Sequence, residues 1–165
     1  MTAQLLISGI LGIATTAVAF YANRHLFNAG NAAGRVSLLE GIYYVVGVVS
    51  IVLGWYFNIR YVQHFGARAS WIHFTKSLFS NWAADSEAQD YLIVSLVLFP
   101  LWTIIDGRRR GIRVPWMFFV MSLFTSLGFC MGGYLAFVER QRRYNRAFPS
   151  TGTPDAPDAA ASSTA

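Results

Sequence analysis

Three observations predict an all-α membrane protein with four transmembrane helices and an interfacial amphipathic helix between the second and third. The 165-residue chain is 55% apolar and its mean hydropathy is positive, beyond what an ordinary soluble domain carries. Its apolar residues fall into four long runs free of charge, and its 13 basic residues lie outside them. Aromatic residues reach 16%, and their amphipathic rings suit the two headgroup interfaces. Residues 1–146 read as one helical membrane domain. The Ala-, Pro-, Ser- and Thr-rich stretch 147–165 has no apolar periodicity and is expected to be a disordered tail.

The first run, 5–22, is long enough to span about 27 Å as a helix. The small residues Ala17 and Ala19 resemble a signal-peptide cleavage site, but "MTAQ" offers no basic start, so a retained helix is the expectation. The second span, 41–59, is bounded by Glu40 and Arg60 and carries Tyr43, Tyr44, Trp55 and Tyr56 near its ends as interface anchors. Within 70–82, placing residues at 100° steps puts Trp71, Phe74, Leu78 and Trp82 on one arc and His73, Lys76 and Ser77 on the other. An amphipathic helix in the headgroup plane follows. The third run, 91–105, is short for a crossing and contains Pro100, so a kinked span is expected, with Arg108, Arg109 and Arg110 reaching back to the headgroups. The fourth, 115–138, opens with Pro115 in a first turn and is read as a full crossing.

Four crossings leave the positive-inside rule deadlocked. One side receives Arg60, Arg68, Lys76 and the four arginines of "ERQRRYNR", seven in all; the other receives Arg24, Arg35 and the four of "DGRRRGIR", six in all. Symmetrical anchoring of the last span explains two flanking clusters. Alternatively, the glycine-flanked "RRR" grips an anionic group: Asp106, Arg108, Arg109, Arg110 and Arg113 are the candidate contacts to a lipid headgroup or partner. The net charge of +5 flanks apolar runs and therefore points to lipid headgroups, not nucleic acid.

The order "LGWYFN", "HFG", "SLFSN", "DGRRRGIR" and "YLAFVERQRR" resembles the bacterial domain-of-unknown-function family 2834 of small integral-membrane proteins, over about residues 44–143. Asp106 stands where the acid of the family signature is more usually Glu. The resemblance implies a core of three helices, to which this chain adds an amino-terminal fourth. It brings no catalytic residue with it.

Bound chemistry finds little foothold. A membrane haem needs histidines within spans, and His25, His64 and His73 lie in connecting segments. His64, His73, Asp85, Glu87 and Asp90 share one loop without tight ligand spacing, so no metal or other cofactor is expected. No charge sits mid-span to relay protons. The lone Cys130 excludes a disulfide framework. What the spans offer is small-residue packing surface, with Gly47, Ser50 and Gly54 in the second helix and Ser122, Ser126, Gly128 and Gly132 in the last. The expectation is a non-catalytic accessory or scaffold protein of a bacterial cytoplasmic membrane, with a protein partner or second copy on those stripes. The alternative is a lipid- or isoprenoid-binding protein, or an enzyme on such a substrate, with Trp71–Trp82 as the access platform and the arginine loop for a phosphate head.

Overall fold

The computed structural model describes residues 3–28 and 35–149, and these residues are helical with no strand. In chain order they form α1 (Ala3–Ala22), the single turn α2 (His25–Asn28), α3 (Leu38–Phe65), a 3₁₀ turn (Gly66–Arg68) and α4 (Trp71–Leu78). There follow α5 (Trp82–Ile93), a π turn (Val94–Leu98), α6 (Phe99–Arg110), α7 (Met117–Ser122) and α8 (Leu127–Ala147). The expected tail from residue 150 onward lies outside the described residues.

Three helices are long and apolar enough to cross a membrane: Leu5–Ala22, the segment Leu38–Arg68 and the segment Trp82–Arg110. The second begins at Ser37, whose hydroxyl caps the helix by accepting from the Glu40 N–H. The third is much longer than the 91–105 stretch that hydropathy marks, because the acidic turn Asp85–Asp90 is itself helical and Asn81 caps it through the Ala83 and Ala84 N–H groups. No bilayer thinning is needed to accommodate it. Pro100 leaves its mark one turn earlier. It has no N–H and its ring crowds the carbonyl four residues back, and the helix widens there into the π turn, with the Phe99 N–H bonding to the Val94 carbonyl.

The expected interfacial helix over 70–82 is shorter, ending at Leu78; Trp82 opens α5 and is 93% exposed. Its apolar arc is also divided. Phe74 turns inward onto Tyr61 of α3, with ring centroids 5.7 Å apart, whereas the neighbouring Ile72, 70% exposed, faces out. His73 comes inward too, bonding Tyr61 at 2.6 Å.

The fourth run is not a single crossing helix. The chain breaks at residues 123–126 and doubles back, so α7 and α8 form an antiparallel hairpin: Phe118 packs on Tyr134 and Phe137, and Pro115 lies against Gly107 beside Tyr134. The register against α1 fixes its depth. Arg113 is level with Asn23, Met121 with Thr16, and Thr125 with Gly12. Eleven residues of α1 thus cover the climb, about 16 Å, roughly half of a bilayer core. A break at that point leaves helix-end groups without intrahelical partners, and local hydroxyls satisfy them. Thr125 Oγ1 donates to the Met121 carbonyl at 2.8 Å, and Ser126 Oγ accepts from the Phe129 N–H at 3.1 Å. Hydropathy measures apolar length and carries no direction, so a there-and-back hairpin and one crossing look alike.

α8 lies antiparallel on α3, and this pair is the spine of the fold. The backbones approach where side chains vanish: a Cβ on Gly132 would sit 2.7 Å from the Tyr43 carbonyl oxygen, and one on Gly128 would strike Ser50. Ser50 and Ser126 share a hydrogen bond of 3.0 Å across the same seam. The predicted stripes are therefore consumed largely inside the chain. Around α8 the core closes with Phe99, Phe118, Met121, Cys130, Tyr134 and Phe137.

Candidate functional site

The hairpin gathers both arginine clusters at one end of the molecule. The Asn23 side chain exchanges two hydrogen bonds with the Arg113 backbone, Gly111 lies beside Gln141, and Glu40 at the start of α3 receives Arg140 and Arg143 from α8. Here stand Arg24, Arg35, the four arginines of 108–113 and the four of 140–146. Among the described residues, Glu40, Asp106 and Glu139 are the acids there. The other end holds Arg60, Arg68 and Lys76 against Asp85, Glu87 and Asp90.

Glu40 has no solvent exposure, and its two oxygens are divided between Arg140 Nε at 2.7 Å and Arg143 Nη2. Arg140 also lies over the Phe27 ring, and Arg143 Nη1 donates to the Arg35 carbonyl. Two guanidinium groups around one buried carboxylate staple α8 to the α1–α3 connection. Sequence reasoning missed this pairing; the signal that could have drawn attention to Glu40 is the Ser37-x-x-Glu40 spacing of a capping box, whose acid here reaches across to α8 instead.

The five candidate contacts of the arginine loop divide into two sets. Asp106 faces inward, accepting from Arg110 Nε and from the Tyr134 hydroxyl, each at 2.7 Å. Arg110 is thereby engaged as well, and the acid of the signature holds the end of α6 on α8. Arg108, Arg109 and Arg113 are exposed, and between them Gly111, at φ 81°, ends α6 and turns the chain toward α7.

A cavity of about 550 Å³ occupies the opposite half. Its floor is the hairpin tip, residues 122–128; its walls are α3 from Ser50 to Val62, the π turn of the third span and the first turns of α1; α4 closes over it. Trp55, Tyr61, Trp71, Phe74 and Tyr91 supply the apolar surface, and Ser50, Asn58, Thr75, Ser95 and Ser126 bring polar groups. Among the described residues no Asp, Glu, His, Cys, Lys or Arg lines it. Ser95 belongs to the π turn and returns its own hydroxyl to the Tyr91 carbonyl at 2.7 Å. Of the four aromatic-arc residues, Trp71, Phe74 and Leu78 line the cavity and Trp82 does not. Sequence reasoning missed this site, because it assembles from five elements and depends on the hairpin tip stopping partway.

The aromatic access platform and the arginine loop stand at opposite ends of the molecule, separated by the 29-residue third span, about 43 Å of helix. They do not form one site. Among the described residues no three His, Cys, Asp or Glu side chains converge as metal ligands.

No curated protein and no solved structure matches the chain. A family model does match, over residues 42–141, from the second span through the hairpin to the end of the buried part of α8. By that match the chain belongs to the family described as "Protein of unknown function DUF2834".

Proposed function

We propose that this protein binds a neutral, lipid-like amphipath within a bacterial cytoplasmic membrane, acting as a binding module without catalysis of its own. The observation that carries the reading is the cavity of about 550 Å³ at membrane depth, a volume in the range of small-molecule sites. Its rings and aliphatic side chains suit an acyl or isoprenoid chain. Its hydroxyls and the Asn58 amide suit a hydroxyl, carbonyl or amide head. With no cation among the described lining residues, a phosphate would be buried without a partner, a severe cost at low dielectric. That argues for a neutral head group and against the phosphate-bearing isoprenoid of the sequence expectation at this site.

The test is mass spectrometry of small molecules retained by protein purified in mild detergent, compared between wild type, Thr75→Trp at the mouth and Ser95→Phe in the wall. One neutral species enriched over bulk phospholipid, and lost from both variants while they remain monodisperse, is the expected result. An unselective phospholipid profile, the same in all three proteins, would refute the reading. A stoichiometric protein partner without any enriched lipid would favour the accessory-subunit expectation instead.

A further inference from the structure

We propose that the arginine-rich end is a docking surface for the anionic phospholipid headgroups of the cytoplasmic leaflet, with the start of α1 and with α4 on the opposite side of the membrane. The observation is an imbalance that the hairpin creates. Among the described residues, ten arginines against three acids stand at one end, and three basic against three acidic residues at the other. One crossing, α3, separates α4 from this end on its amino-terminal side and one, the third span, on its carboxyl-terminal side, so no rearrangement of loops redistributes those charges.

The described acids at the arginine-rich end are all engaged in protein contacts. Glu40 is enclosed by Arg140 and Arg143, Asp106 takes Arg110 and Tyr134, and Glu139 lies 3.7 Å from Arg142. Arg108, Arg109 and Arg113 are exposed and their guanidinium groups bond no protein side chain among the described residues. Arg24 is exposed beside them in space, tied in through Asn23 and Arg113, with its guanidinium 4.8 Å from the Tyr21 ring. Planar guanidinium groups in this position meet lipid phosphates in bidentate fashion. Basic residues next to spans are drawn to the anionic cytoplasmic leaflet and resist translocation. The proposal is independent of whether the cavity has an occupant; it does imply that the cavity is reached from the outer leaflet.

Two experiments test it on the full chain in its membrane. In a Cys130→Ala background, Thr75→Cys and Pro149→Cys are probed with a membrane-impermeant maleimide in spheroplasts and after permeabilisation. Labelling of Thr75→Cys in both conditions, and of Pro149→Cys only after permeabilisation, is expected. The reverse pattern overturns the orientation, and labelling of both from one side overturns the hairpin on which it rests.

The second compares the melting temperature in lipid nanodiscs of phosphatidylcholine with discs containing phosphatidylglycerol, for wild type and for Arg24, Arg108, Arg109 and Arg113 changed together to Gln. A rise with phosphatidylglycerol that is lost in the variant is expected, along with a drop in co-purified anionic lipid of roughly fivefold or more. An equal rise in both proteins, or none in wild type, sinks the docking surface. The variant's melting temperature in phosphatidylcholine discs checks that it folds, since none of the four side chains joins the Glu40 or Asp106 contacts.

Discussion

Asn23 holds Arg113 by both ends of its amide: Nδ2 donates to the Arg113 carbonyl at 2.9 Å, and Oδ1 accepts from the Arg113 N–H at 2.8 Å. Asn23 is fully buried, so this pair is what ties the arginine loop to the end of α1. Asn23→Leu fills the same space and strands both backbone groups, and is expected to cost about 1–3 kcal/mol. Asn23→Asp keeps only the acceptor and should fall between. Thermal unfolding in detergent reads the order; equal melting temperatures for wild type and Leu would remove the pair from the account.

Glu40 makes a sharper prediction. Glu40→Gln leaves Arg140 and Arg143 facing each other without their counter-charge, and loss of one partner from a buried ion pair costs about 3–5 kcal/mol. Replacing all three together, Glu40→Met with Arg140→Leu and Arg143→Leu, should recover much of that stability. The comparison of the single and triple variants by melting temperature decides it. A triple variant less stable than Glu40→Gln would show that the network supplies more than charge compensation.

On the α3–α8 seam, Gly132 has backbone as its neighbour, whereas Gly54 has the Ser126 side chain at an ordinary 3.6 Å. Gly132→Ala is therefore expected to push the helices apart at a cost of about 1–3 kcal/mol, and Gly54→Ala to be nearly neutral. The relevant readout is the difference in unfolding midpoint between the two alanine variants, which carry the same chemical change.

Acid should weaken the arginine-rich end through His25. Burial, and after it the Arg113 charge, hold its imidazole below the ordinary range. The folded state therefore takes up this proton less readily than the unfolded chain. The His25 contribution is complete above the unfolded value of about 6.5 and is lost as pH falls below it toward the folded value. Melting temperatures between pH 7.5 and 5.5 should decline in wild type and decline less in His25→Gln. Parallel slopes in the two proteins would assign the acid sensitivity to other groups.

Cys130 is buried completely and its sulfur lies 3.2 Å from the Thr125 hydroxyl at the hairpin tip. It should resist a thiol reagent in the folded protein and react once the hairpin opens. Labelling time courses in wild type and in Thr125→Val, which removes the hydroxyl that caps α7, are expected to show faster reaction in the variant.

The amino-acid sequence by itself determined what depends on local composition: helical class, the apolar stretches of the first three spans, the position of Pro100 and the family. Such features follow from charge-free length and from residue preferences that act within a few positions. It also marked the arginine loop, though not that Asp106 and Arg110 turn inward while Arg108, Arg109 and Arg113 turn out. That division depends on Tyr134, 28 residues away. Only the tertiary structure decided that the last apolar run returns to the side it came from. The turn is made affordable by two hydroxyls whose partners lie within five residues, but its direction is set by long-range contacts, Asn23 with Arg113 and Gly132 with Tyr43. The charge deadlock that opens on "DGRRRGIR" dissolves with that reversal, since both clusters then share one face. The cavity has the same origin: a hairpin that stops partway leaves space above its tip, and no single stretch of sequence records a volume enclosed by five separate elements.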